Sequence, residues 1–337
     1  MATLFCWSIN NMFYDAIIIG SGAGGSAAAY QLTQTGKRVL LLEQGQVLPR
    51  DGSTLDVDKV VRQKLFIDDS PWLDKQGKMI APQERSNLGG KTKWYGAALA
   101  RFSQKEFESD HAHQCLPWPI SYAELAPFYE AAEHILAVRT FEIEPDFKKI
   151  VDGLQKQDSQ WRSQPLSMGL SQDILNHREE VTHFDAFASV LGLKADGESF
   201  LNRVKDNANL SILTGKKVTK LLADSENPFR LAGVVCEDGS QYQSNVVLLA
   251  AGALHSPRLL QRYVENAGLT EKLACYSQIG RNYKFHLLTA MLMMNVKPQT
   301  DVLRKTTVLL HDALPHSSVQ PLGWMDGTLL APELPNF

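Results

Sequence analysis

The chain has 337 residues, 44% hydrophobic and 21% charged, with 34 Lys+Arg against 37 Asp+Glu for a net charge of −3. That balance excludes disorder and fibrous repeats, and without a Lys/Arg block neither nucleic acid nor an anionic membrane is an expected partner. At roughly 100–200 residues per domain the length allows about two domains, each with its own core.

Residues 1–12 read as an extension or as an upstream start, with Met12 directly before the first strand. That stretch carries no basic region and no small-residue cleavage site, and no apolar run approaches the ~20 residues of a membrane span, so a cytoplasmic location is expected. Residues 14–19 form a β-branched apolar run suited to a buried parallel strand. Gly20-Ser21-Gly22-Ala23-Gly24-Gly25 then supplies GxGxxG, a helix is expected from Ser26 to about Thr35 with Gly36 as its stop, and 39–42 is a second buried strand ending at Glu43. In such a βαβ unit the first glycine permits the tight turn, the second lets the backbone approach a pyrophosphate, and the third allows close packing of helix on strand. The pyrophosphate sits on the N–H groups that open the helix, where the dipole favours negative charge. Glu43, 23 residues after Gly20, stands where an acid hydrogen-bonds ribose hydroxyls and repels a 2′-phosphate, which disfavours NADP. The spacing leaves open which dinucleotide is bound.

A second glycine cluster follows at 86–98. Gly89-Gly90, Thr92 and Tyr95-Gly96-Ala97 suit a loop lying against a phosphate and a flat ring, and they suit equally a tight turn beside an aromatic cluster. Asp110, His111 and His113 look like ligands by type but read as a solvated loop, and no metal is expected. Ser121 and Glu124 have capping-box spacing, ahead of a helix that places Leu125, Phe128, Tyr129, Ala132, Ile135 and Leu136 on one core-facing side. Further helical stretches are expected at 146–156 and 184–191. Apolar runs at 210–213, 218–222, 231–235 and 246–250, with a turn at 237–240, predict strands that extend the first sheet and add a small antiparallel meander. After 306–310 the chain is punctuated by proline, with five of its 15 prolines in the last 40 residues. His311 and His316 receive no role. Four cysteines, at 6, 115, 236 and 275, make no CxxC pair and read as incidental thiols of a reducing compartment.

Four ordered blocks, YDAIIIGSGAGGSAAA with LLLEQG, SNLGGKTKWYGAAL, WPISYAELAPFYEAAE, and VVLLAAGALHSPRLLQ with IGRNYKFH, resemble the glucose-methanol-choline (GMC) family of FAD-dependent oxidoreductases. The resemblance implies an α/β fold, a doubly wound parallel-sheet FAD-binding (Rossmann-like) domain with a partial α+β substrate domain. It implies FAD-binding segments at 13–50, 80–135 and 200–285 within 13–290, substrate-side helices inserted at about 140–200, and the start of a substrate domain at 291–337. The FAD-contacting positions it implies are Gly20, Gly22, Ala23, Gly24, Gly25 and Glu43 in the first unit and Gly89, Gly90, Thr92, Tyr95, Gly96 and Ala97 in the second glycine cluster. To these it adds Val218 at the adenine, Ala251, Gly252 and Ser256 at the strand-to-helix turn, and Asn282. The sequence departs from the family pattern at Lys91, Thr92 and Tyr95, and again at Tyr263-Val264.

The resemblance further implies oxidation of the CH–OH group of an alcohol, polyol or sugar, with hydride passed to flavin N5 and a His acting as general base. The family's base lies in a C-terminal block expected beyond residue 337, so the chain is expected to be the N-terminal portion of such an enzyme. Within it, His255 and His286 are the candidate bases, each first read as structural or cofactor-contacting. The alternatives are a non-catalytic flavin- or nucleotide-binding fragment, or one half of a split enzyme completed by a C-terminal partner; an NAD-dependent enzyme is weaker. A disulfide reductase is rejected, because neither a redox-active cysteine pair nor a second GxGxxG is present. The expected partners are a small-molecule alcohol and an electron acceptor whose identity the residues leave open.

Overall fold

The structure, a computed structural model, describes residues 12–324 apart from 69, 75, 114, 183, 282, 284–288 and 290–299. Asn282 and His286 lie outside the described residues, as do the expected extension up to residue 11 and the end of the proline-rich tail. The chain divides into two compact units, one from Met1–Leu48, Lys64–Thr92 and Asp196–Met293, the other from Pro49–Gln63, Lys93–Ala195 and Met294–Phe337.

The first unit is built on β1 (Ala16–Ile19), α1 (Ala23–Gln34), β2 (Val39–Leu42), β3 (Leu210–Leu213), β4 (Val218–Ala223), β5 (Leu231–Cys236), β6 (Gln241–Gln243), β7 (Val247–Leu249) and α2 (Gly252–Asn266). Four strands form a parallel sheet in the order β7-β1-β2-β3, with Ile17 opposite both Leu40 and Val247. Every residue of β1 and β2 is buried, as the unbroken apolar runs require of strands covered on both faces. Because side chains alternate, the two faces feed two cores. Ile17, Ile19, Leu40 and Leu42 pack with Leu259, Tyr263 and Val264 of α2 and with Val218, Leu221 and Val234 of the antiparallel β4-β5-β6 sheet. Ile18, Val39 and Leu41 pack with Ala29 of α1 and with Leu201. This is the mixed α/β architecture expected, with 210–213 and 247–249 extending the first sheet and the other runs forming the meander. The short strand β6, exposed at both ends, is one element that apolar patterning did not signal.

Two boundaries differ from expectation. The helix α1 opens at Ala23 rather than Ser26, so the glycine motif itself supplies the first turn, with Gly22 as N-cap. The segment 184–191, expected as helix, is turn and irregular chain. Its backbone groups are held by side chains instead: Val190 and Leu191 donate to the buried Glu180 carboxylate, and the buried Lys194 ammonium donates to the carbonyls of Phe184 and Phe187.

The second unit centres on Ala97, Phe141, Leu166, Met168, Leu170, Ile174, Phe184 and Val308. Its three-stranded antiparallel sheet sets Thr307–His311 between Ser318–Val319 and Trp161–Pro165, with the helix Pro145–Gln157 packed beside it through Phe147 and Val151. The helix Tyr122–Ile135 carries the expected capping box, Ser121 Oγ accepting from Glu124 N at 3.3 Å. It is not core-facing, however. None of its residues is fully buried and Phe128 is 70% exposed. Its half-buried side includes Leu125, Tyr129, Ala132, Ile135 and Leu136 of the expected face together with Tyr122, Ala126 and Glu133, and the Arg101 guanidinium pairs with Glu133 at 2.6 Å and lies over the Tyr129 ring.

Candidate functional site

Within the first unit a cavity of about 500 Å3 opens at the carboxyl ends of β1, β2 and β7, the place where open parallel sheets bind ligands. Gly20, Gly22, Ala23, Gly24, Glu43, Gly90, Thr92, Val218, Ala251 and Gly252 all line it. A Cβ on Gly22 or Gly24 would meet no atom within 4 Å, so these positions leave the cavity floor open beside the first turn of α1. Gly25 does not line the cavity. A Cβ there would overlap the Gly20 carbonyl oxygen, which is the close helix-on-strand approach the motif predicts.

Glu43 is 5% exposed and reaches the cavity wall from the end of β2. Its Oε2 accepts from Ser21 N at 3.0 Å and Ser21 Oγ at 2.6 Å, and its Oε1 accepts from Gly45 N at 2.9 Å. Ser21 Oγ in turn accepts from Gly89 N at 2.9 Å. The acid expected to meet a ribose therefore also fastens the glycine turn to the second glycine cluster. Hydrogen bonds to a charged acceptor contribute ~1.5–3 kcal/mol each, and removing the acceptor leaves buried donors unsatisfied. Glu43→Ala is expected to lose about 3 kcal/mol or more in urea denaturation, with Glu43→Gln intermediate because its amide keeps one acceptor oxygen.

The second cluster is docked by backbone geometry. Leu88 N donates to Gln46 O at 3.0 Å, and a Cβ on Gly45 would overlap Ser86. Gly89 and Gly90 take φ of +84° and +56°, left-handed values that open the loop without strain only for glycine. Thr92 Oγ1 accepts from Gly197 N at 2.8 Å. Tyr95, Gly96 and Ala97 belong to the second unit, where the Tyr95 hydroxyl donates to Ala195 O at 2.7 Å and Ala97 is buried. Ser256 is not among the lining residues; its Oγ accepts from Ala251 N at 3.0 Å and so holds the turn that is.

Charge is the feature of this cavity that spacing did not reveal. Its lining holds Arg85, Lys91, Lys216, Lys217, Arg258 and Arg262 against the carboxylates of Glu43 and Glu84. Arg258 and Arg262 are one helical turn apart on α2, an i, i+4 signal that was legible but had no partner motif. Lys91 pairs with Glu84 at 2.6 Å and Lys217 with Glu237 at 3.0 Å.

His255 also lines the cavity, edge-on to Trp72 at 5.2 Å between ring centres, and its Nε2 makes no hydrogen bond among the described residues. Burial lowers its pKa below 6.5, against the opposing pull of Asp68 and Glu84, with Arg258 and Lys217 adding to the lowering. For Asp68 burial acts to raise the pKa, but hydrogen bonds from Ser70 and Ser86 outweigh it and bring the carboxyl down to about 2. The folded state thus favours neutral His255. Its contribution to stability is complete above pH 6.5 and is lost as pH falls through the lower folded value. Denaturation curves of the parent and of His255→Phe are expected to converge with falling pH below that point, and parallel curves would contradict the assignment.

The chain matches the GMC oxidoreductase family over residues 14–288. It belongs to that family. Among GMC-like relatives, paromamine 6'-oxidase from Streptomyces fradiae is 37% identical over 130 residues, 37% of this chain and 23% of that protein. A long-chain-alcohol oxidase from Arabidopsis thaliana is 24% identical over 294 residues, 81% of this chain and 36% of that protein. The crystal structure of pyridoxine 4-oxidase from Mesorbium loti shares the fold, with a TM-score of 0.52 and 19% identity over 74% of this chain and 51% of that one. This GMC oxidoreductase chain thus spans a quarter to a half of the lengths of these proteins. Among its described residues no helix is long and apolar enough to cross a membrane.

Proposed function

We propose that this GMC oxidoreductase chain binds FAD in the first-unit cavity and serves oxidation of a CH–OH donor, an alcohol, polyol or sugar. The observation that carries the reading is the cavity at the N-terminus of α1, floored by open glycine positions and lined by six cations against two acids. A diphosphate carries the matching negative charge, and ligand sites of ~300–1,000 Å3 bracket the volume present. The residue set fits FAD. When bound, the flavin supplies the hydride-accepting centre at N5.

The chain's own residues then have defined tasks. Backbone N–H groups of Ala23 and Gly24 receive phosphate oxygens, and Arg85, Arg258 and Arg262 offset their charge. Val218 flanks the adenine, and Glu43 presents its remaining lone pairs to ribose hydroxyls. His255 offers an unpaired Nε2 at the cavity wall, in the neutral state that hydrogen-bonds without adding charge. Relatives named for a long-chain alcohol and for 2-methyl-1,2-propanediol support an alcohol donor.

The test is reconstitution. After incubation with excess FAD and desalting, the chain is expected to retain one equivalent of flavin by absorbance, and alcohol-dependent dye reduction is scored separately. Retention without turnover supports the non-catalytic alternative, whereas tight NAD binding with no flavin binding overturns the reading.

A further inference from the structure

The second unit holds a cluster with no part in the cavity described above. Asp110 and Cys115 pair across a tight loop, with Asp110 N donating to Cys115 O at 3.1 Å and Cys115 N to Asp110 O at 2.9 Å. The 3-10 turn His111–His113 sits inside it. The turn brings His113 back onto Asp110: its backbone N–H donates to Oδ1 at 3.2 Å, and its Nδ1 lies 2.9 Å from Oδ2. His316, 206 residues beyond Asp110, places Nε2 2.9 Å from the same Oδ2, and the two imidazole rings meet at 4.6 Å. All three donor atoms lie within 4.8 Å of one another.

We propose that Asp110, His113 and His316 form a binding site for one divalent transition-metal ion, zinc foremost, which ties the segment carrying His316 to the 110–115 loop. Two ligands each ~2.0–2.1 Å from a tetrahedral zinc stand roughly 3.3 Å apart; both imidazoles lie 2.9 Å from Asp110 Oδ2, and all three donor atoms are within 4.8 Å of one another. Two imidazoles with one carboxylate select zinc, copper or nickel over the oxygen-seeking magnesium and calcium. The second oxygen of Asp110 is already held by the His113 N–H, which orients Oδ2 toward the imidazoles as an outer-sphere partner does. His113 and His316 are both solvent-accessible, so an ion can enter and water can complete the fourth position.

The experiment uses the full chain after chelator treatment. Cobalt(II) titration followed by visible d–d absorption is expected to saturate at one equivalent, with the band removed by zinc and unaffected by magnesium or calcium. Saturating zinc should raise the melting temperature, because an ion bound only by the folded chain stabilises it by mass action. His113→Gln and His316→Gln are each expected to weaken cobalt binding by at least ~100-fold, more than the loss of an outer-sphere partner, and to abolish the zinc-dependent shift. His111→Gln, in the same turn but outside the cluster, should bind as the parent does. No d–d band, no zinc-dependent shift in the parent, or unchanged binding by His316→Gln would each overturn the proposal. The last outcome would mean chelation by the His111–His113 turn alone.

Discussion

Gly25→Ala is expected to be less stable than the parent by about 2–3 kcal/mol, although alanine is the better helix former. Gly25 lies within α1, so helix propensity alone predicts a gain of ~1 kcal/mol. The added methyl, however, would overlap the Gly20 carbonyl oxygen and approach Ala250 Cβ to 3.2 Å. The first of these is backbone and cannot rotate aside, so α1 must lift from β1 or the turn must open. Gly24→Ala is the internal comparison. It lies in the same helix with nothing within 4 Å of its Cβ, and it should denature with the parent or slightly above it. Equal denaturation curves for the two variants would show that α1 is not pressed onto β1 at Gly25.

Gly22→Asp is expected to separate folding from binding. Gly22 is the N-cap of α1 with φ −65° and ψ −167°, an extended conformation open to any residue, and its Cβ position faces clear space in the cavity. Aspartate is a favoured N-cap and suits the positive end of the helix dipole, so the apo chain should hold or gain ~0.5–1 kcal/mol. The same carboxylate stands where a diphosphate would sit. FAD affinity, read by flavin fluorescence titration, should fall at least ~100-fold, or about 2.8 kcal/mol at 1.4 per decade. Gly22→Asn, of the same size without the charge, should lose less. Undiminished FAD affinity in Gly22→Asp would place the cofactor away from this helix end.

Local signals were legible wherever the physics is local. The β1-turn-α1-β2 unit, the capping box at Ser121 and Glu124 and the strands near 210–249 all announce themselves through spacings of a few residues. Expectation failed where a distant group competes for the backbone or the surface. The 184–191 segment lost its helix because Glu180 and Lys194 satisfy backbone groups that a helix would have paired internally. Phe128 matched the apolar period yet faces solvent, on a helix none of whose residues is fully buried.

The sequence by itself determined that this chain carries a nucleotide-type βαβ unit and which glycines and acid belong to it, since those roles depend on neighbours within about 25 residues. Only the tertiary structure decided what surrounds them. It placed Arg85, Lys216, Lys217, Arg258 and Arg262 around one cavity, linked Glu43 through Ser21 to Gly89, and set His316 beside Asp110 and His113. Charge complementarity and metal-like clusters depend on distances of a few ångströms between segments far apart in the chain. No sequence period encodes such distances; the packing within each unit sets them.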